Sequence, residues 1–155
     1  MIPTVFHLVL ALDCGGLERL VVDWTRERNR RQQGSTAVLC LDRAGLLAAE
    51  LPGDALIELG AERSRFPVDL RAVARLRRLI RAARSPVVIH SHNPSAQFYA
   101  ALAIPGTGAR HVHTRHGPGR VHTGWSDAPR RLLARAGTDR WVTVSESTLT
   151  ALAAE

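Results

Sequence analysis

Residues 5–24 read VFHLVLALDCGGLERLVVDW. An apolar run at 5–11 ends on Asp13-Cys14-Gly15-Gly16, and a helical period begins at Leu17. A short apolar run, a glycine turn and an amphipathic helix in immediate succession form the opening of a strand–helix–strand unit, the building block of a parallel sheet. Leu17, Leu20, Val21 and Trp24 fall on one face of the helix, with an arginine-rich far side, and Gly34 stops it.

The same alternation runs outward through the chain. Strands are expected at 36–41 and 55–59, with a short helix at 45–51 between them. An amphipathic helix follows at 67–84, carrying Val73, Leu76 and Ile80 on one face and Arg71, Arg75 and Arg78 on the opposite one. Pro86 ends it and Val87-Val88-Ile89 begins a fourth strand; Asn93-Pro94 introduces a helix over 95–104. A fifth strand at 111–114 leads into a loop over 115–127 that holds three glycines; a helix at 128–136, a sixth strand at 141–144 and a last helix from Ser145 complete the pattern. The expected fold is therefore α/β: one Rossmann-like three-layer domain over 1–155 with a parallel sheet of about six strands. No repeats or low-complexity tracts interrupt it, and the chain stops abruptly after Ala154-Glu155.

Composition narrows the function. The 155 residues are 45% hydrophobic and 23% charged, which is globular. All 21 basic residues are arginine and the net charge is +7. A set without a single lysine reads as codon bias, and the arginines lie on solvated helix faces without interleaved aromatics, so no nucleic-acid partner is expected. The positive field still favours phosphate-bearing substrates or an anionic membrane surface. Cys14 and Cys40 have neither metal nor redox spacing and read as reduced thiols. The first 12 residues are apolar but lack a basic leader and a small-residue cleavage site, which makes them a buried strand. No apolar run reaches the roughly 20 residues that span a bilayer. A cytoplasmic protein is expected, with peripheral contact to the inner membrane face left open.

Ligands of open parallel sheets bind beyond the carboxyl ends of the strands. Four chemically loaded segments fall there: 13–18, 90–95, 115–119 and Ser145-Glu146. Gly15 and Gly16 let backbone approach a ligand, and the N–H groups at the helix start favour an anion such as a diphosphate; a plain tight turn is the alternative, since a full G-x-G-x-x-G is absent. His90 and His92 share a side by strand alternation. No acidic or cysteine partner stands at suitable spacing, so no metal is expected there; the segment reads as donors to a hydroxylated substrate, or His90 as a core histidine. His111 and His113 alternate with Val112 and Thr114, and His116 ends the strand beside a glycine, where it can face the cleft as a donor or an acid–base group. Arg120, His122 and Trp125 sit on the glycine-rich loop, which either covers an acceptor, touches a membrane interface or is ordinary surface.

As an ordered set, these segments resemble the N-terminal domain of family 4 glycosyltransferases, which have the two-domain GT-B fold. Val5-Phe6-His7-Leu8 with Asp13-Cys14-Gly15-Gly16-Leu17-Glu18-Arg19 is similar to that family's opening strand and Gly-Gly-x-Glu-Arg turn. Val87-Val88-Ile89-His90-Ser91-His92 resembles its next motif, as do the histidine-ended strand at 112–116 and Trp141-Val142-Thr143-Val144-Ser145-Glu146. The resemblance implies a retaining transfer from a nucleotide sugar to a hydroxyl acceptor on a glycan or glycolipid, on one face of the sugar and assisted by the donor's own phosphate. It implies that Gly15 and Gly16 lie near the donor diphosphate, that His116 is catalytic, and that His92, Asn93 and Ser145 line the acceptor side of the cleft; no arginine is carried over from the family, and Arg115 is a cleft candidate by its place at the strand end alone. No cofactor or metal is implied, the nucleotide sugar being substrate. The family's second domain, with an acidic E-x7-E motif, has no match in these residues, so the chain is expected to need a C-terminal donor-binding partner and to be silent alone, with an exposed inter-domain surface open to weak self-association.

Three other readings compete. A non-catalytic interaction module would share the fold. A sugar-nucleotide epimerase would need cleft carboxylates that have no place here. A dinucleotide-binding protein would use an acidic residue after the second strand; Asp42 stands there, but the glycine spacing of the first turn is wrong.

Overall fold

A computed structural model describes residues 2–63, 68–117 and 128–153. Pro67, Gly119, Arg120, His122 and Trp125 lie outside the described residues, as do Ala154 and Glu155. The described strands form one six-stranded sheet in the order β3-β2-β1-β4-β5-β6, with every pairing parallel. They are β1 (Thr4–Val9), β2 (Thr36–Cys40), β3 (Leu56–Glu58), β4 (Val87–Ser91), β5 (Arg110–Arg115) and β6 (Arg140–Thr143). Helices α1 (Gly16–Arg30), α2 (Leu70–Ala82), α3 (Pro94–Ala103), α4 (Ala128–Ala136) and α5 (Glu146–Ala153) connect or follow them. The expected α/β, Rossmann-like layering is what forms.

Strand alternation divides the core between the two faces of the sheet. Phe6, Leu8, Leu39 and Ile89 pack with Leu76 of α2 and Tyr99 of α3 on one side. Val9 and Val38 pack with Val21 and Val22 of α1 on the other. The burial of α1 differs from the sequence expectation: Val21, Val22 and Thr25 are its buried residues, while Trp24 is 39% exposed. The indole instead meets histidine rings at the end of the sheet, described below. In α2 the buried positions are Ala72, Leu76 and Ile80, with Val73 at the margin and Arg71, Arg75 and Arg78 exposed. That helix starts at Leu70 because Asp69 caps it: its carboxylate accepts from the N–H groups of Arg71 at 2.8 Å and Ala72 at 3.4 Å. The Asp69 N–H donates to the Tyr99 hydroxyl at 2.8 Å, tying the cap to α3. The expected helix at 45–51 is a 3-10 turn, Leu46–Glu50.

The segment after β2 folds back onto the segment after β1. Leu12 N–H donates to the Ala44 carbonyl and Leu47 N–H to the Leu12 carbonyl, each at 2.8 Å. Gly45 sits between these contacts at φ +83°, where a Cβ would lie 2.4 Å from the Leu12 carbonyl carbon and 2.6 Å from its oxygen. Left-handed strain and a collision with fixed backbone act together here, so Gly45→Ala is expected to lower unfolding free energy by about 2–4 kcal/mol. Urea denaturation checks this; an unchanged midpoint would contradict the described turn.

Candidate functional site

β1 pairs with β2 on one side and β4 on the other, so the strand order reverses at the β1–β4 junction. Connections leave such a switch point in opposite directions and open a crevice at the carboxyl ends of the strands. The register pairs His7 with His90 and Leu8 with Ser91. Two bonds extend that pairing beyond the ladder: His92 N–H donates to the Leu8 carbonyl at 3.1 Å, and Leu10 N–H donates to Asn93 Oδ1 at 3.1 Å. Asn93 is thus a brace across the crevice floor.

Because His7 and His90 are register partners, their side chains leave the same face of the sheet, and His92 follows two residues on. His7 Nδ1 lies 3.1 Å from His92 Nε2, and His92 Nδ1 lies 3.0 Å from His116 Nε2. The result is a three-ring chain from the buried floor, where His7 and His92 are 4% and 3% exposed, to half-buried His116 at its mouth. His90 stacks beside it, its ring centroid 4.2 Å from that of His92, while its Nε2 meets Thr114 Oγ1 at 2.7 Å. Trp24 closes the group from α1, nearly parallel to His90 with centroids 5.9 Å apart. A separate network occupies the opposite face: Ser91 Oγ meets His111 Nε2 and His113 Nδ1, both at 2.9 Å.

These rings are held uncharged. Burial, with the His90 and Arg28 charges adding to it, pushes His7 down to about 3. Burial and the neighbouring His116 and His111 lower His90 to about 4. Burial and His111 do the same for His113, which lies near 3, against an opposing bond from Ser91. His92 is lowered further, by burial and then by the histidines around it. His116 is lowered by burial and raised by Glu18, whose carboxylate on the first turn of α1 acts on it across the crevice.

A neutral imidazole carries one N–H donor and one acceptor nitrogen. His92 uses both nitrogens in the chain, so whichever way it donates, the tautomers of its neighbours follow. Donation from His7 outward leaves His116 Nε2 as acceptor and its Nδ1–H facing away as a donor. Donation in the opposite sense leaves Nδ1 as a base. The chain can therefore present His116 as donor or acceptor without creating a net charge in the crevice.

The remaining sequence candidates fall around this group. Gly15 precedes α1 in extended conformation with no side-chain cap, so the first N–H groups of the helix are not taken by a capping side chain. A Cβ on Gly16 would meet nothing within 4 Å, so packing does not require glycine there and the space above the turn is open. Arg115 ends β5 on the side opposite Thr114, its Nε donating to the Gly117 carbonyl at 3.2 Å. Ser145 is occupied locally: its hydroxyl accepts from the Thr148 N–H at 3.3 Å and bonds the Thr148 and Ser147 hydroxyls, capping α5. Asp42 is held by Arg63 in a two-pronged pair, with a 2.6 Å bond from Nε, and Arg63 also reaches Ser95 Oγ at 3.2 Å. Cys14 is exposed and Cys40 buried, both unbridged; burial, helped by the Glu58 charge, pushes the Cys40 thiol up to about 12.

Sequence reasoning gave no site role to His7, Trp24 or Thr114, and placed Glu18 in the loaded segment 13–18 without linking it to His116. Alternation within one strand gives the side a residue takes but not the residue it faces, and only the β1–β4 register brings His7 to His90. No described helix is long and apolar enough to cross a membrane.

Buried histidines whose folded pKa lies below the ordinary value bind fewer protons than the unfolded chain, so their stabilising neutral state is complete above about pH 6.5 and erodes as pH falls toward 3–4. The melting temperature in chelator-treated buffer is expected to fall by roughly 10 °C or more between pH 7.5 and 4.5. A flat profile over that window would show that the rings are solvated.

The family model described as Glycosyltransferase Family 4 matches residues 14–155, and the chain belongs to that family. The match begins after β1, so His7 lies outside it. No curated protein matches the chain.

Proposed function

We propose that this family 4 domain is the acceptor-side half of a retaining GT-B glycosyltransferase, which moves a sugar from a nucleotide-sugar donor to a hydroxyl on a glycan or glycolipid. The observation that carries the reading is the place of His116, bonded to His92 and within electrostatic reach of Glu18 on the first turn of α1, at the switch point of the sheet in a chain of this family. The helix N-terminus offers N–H donors to a diphosphate, and the turn is open at Gly16, while the Glu18 carboxylate lies over Gly15 and must swing aside for the anion to approach. His116 contributes a neutral donor to a hydroxyl of the transferred sugar, with His92 behind it fixing the ring. The acceptor oxygen bonds the anomeric carbon as the bond to the diphosphate breaks, and the acceptor proton passes to the departing phosphate oxygen on the same face. No metal bound to the donor phosphates is invoked in that transfer.

The reaction needs a donor-binding domain closed over the crevice. Val142, Val144 and Leu149, exposed by 44%, 52% and 55%, leave apolar surface around β6 and α5 for such a domain to cover. A lipid-linked acceptor would bring the enzyme to a membrane, and the exposed Arg71, Arg75 and Arg78 face of α2 is suited to anionic headgroups.

Two measurements test this. NMR titration of the 155-residue chain is expected to move Gly16 and His116 resonances with acceptor and to show only weak binding of UDP- or GDP-sugars; tight nucleotide binding by this domain alone would overturn the division of labour. In the enzyme completed by its donor-binding domain, His116→Ala is expected to lower kcat about 100-fold or more, whereas the isolated chain transfers no sugar. Wild-type turnover by His116→Ala would remove this residue from the reaction.

A further inference from the structure

The histidines beneath His116 have a second property that sugar transfer does not use. One ring nitrogen from each of His7, His90 and His92 lies within 4.8 Å of one from each of the others, a triad that stands alone of its kind among the described residues. We propose that His7, His90 and His92 form a three-histidine site for a divalent transition-metal ion of the zinc type, seated under the cleft.

The distances fit such an ion. At Zn–N lengths of about 2.0–2.1 Å, two nitrogens on a tetrahedral zinc stand about 3.3 Å apart. His7 Nδ1 and His92 Nε2 are 3.1 Å apart, already at that spacing. The ring centroids of His7 lie 5.2 Å from His90 and 5.3 Å from His92, so the three imidazoles converge on one small volume.

The outer contacts fit as well. Metal-bound histidines characteristically bond a second group through the other ring nitrogen. His90 Nε2 is engaged by Thr114 Oγ1 at 2.7 Å, leaving Nδ1 for the ion. His92 Nδ1 is engaged by His116 Nε2 at 3.0 Å, leaving Nε2 for the ion. Two of the three rings therefore carry a partner on one nitrogen and keep the other for the ion. Burial keeps all three rings neutral, the form that coordinates metal. The fourth position is left to water, and three imidazoles with no carboxylate select zinc, cobalt or copper over magnesium or calcium.

The ion would settle the tautomer of the chain. With Nε2 of His92 on the metal, its Nδ1 must carry the proton and donate to His116, which then presents Nδ1–H to the cleft. Within-segment spacing could not disclose this triad, because its third member comes from another strand.

The test is titration of the full 155-residue chain, stripped with chelator, with Zn2+ by calorimetry and Co2+ by visible absorption. One ion per chain is expected, with a Kd below about 10 µM, and four-coordinate cobalt bands that zinc displaces. Half-buried His90→Gln should abolish the bands, and Thr114→Val should weaken binding about 10–100-fold while leaving the ligands in place. Binding weaker than about 100 µM, six-coordinate cobalt spectra, or binding that His90→Gln leaves unchanged would each overturn the site. The wild-type titration alone decides if a variant fails to fold, and none of these readouts depends on sugar transfer.

Discussion

The in-register pairing of β1 with β4 is the constraint on which the rest depends. It reverses the strand order and so places a crevice at the middle of the sheet. The same pairing sets His7 beside His90 and lets the backbone of His92 bond Leu8 one step beyond the ladder. A slip of one residue would send His7 to the opposite face, into the apolar layer with Phe6 and Leu8. The core residues that forbid the slip are therefore also what aims the histidines.

The price of that arrangement is a cluster of polar rings in a desolvated place. Each ring must stay neutral and find partners there. Thr114, Trp24 and the His7–His92–His116 contacts supply them on one face, and Ser91 with the Gly137 carbonyl serves His111 and His113 on the other. Neutral histidines keep hydrogen-bonding capacity in a place where a charged side chain would be costly. His116, half-buried at the mouth, is anchored through His92 to the floor.

Much of this was legible from residue order. Apolar runs and helical periods placed all six strands and the carboxyl-edge segments, because burial on both faces of a parallel sheet leaves a strong signal at 5–11 and 87–89. His116, His92 and the Gly15–Gly16 turn stand out in the sequence because they follow strands directly. What escaped was non-local. His7 required the register, Trp24 required the roll of α1 about its axis, and Thr114 required the pairing of His90 with β5. Ser145 looked chemical from its position after a strand, and its hydroxyl is engaged in capping α5. Asp69, which sets where α2 begins, carries a capping signal that the apolar periodicity of the helix obscured.

A neutral, tautomer-coupled histidine chain runs from His7 to His116 at the switch point. Long-range 15N–1H correlation of the imidazole nitrogens reads it most directly. At pH 5.5 His7 and His92 are each expected to show one protonated and one bare nitrogen, with His92 Nδ1 or Nε2 bonded across to its neighbour. A His92 ring protonated on both nitrogens at that pH, titrating near the ordinary value of about 6.5, would contradict it.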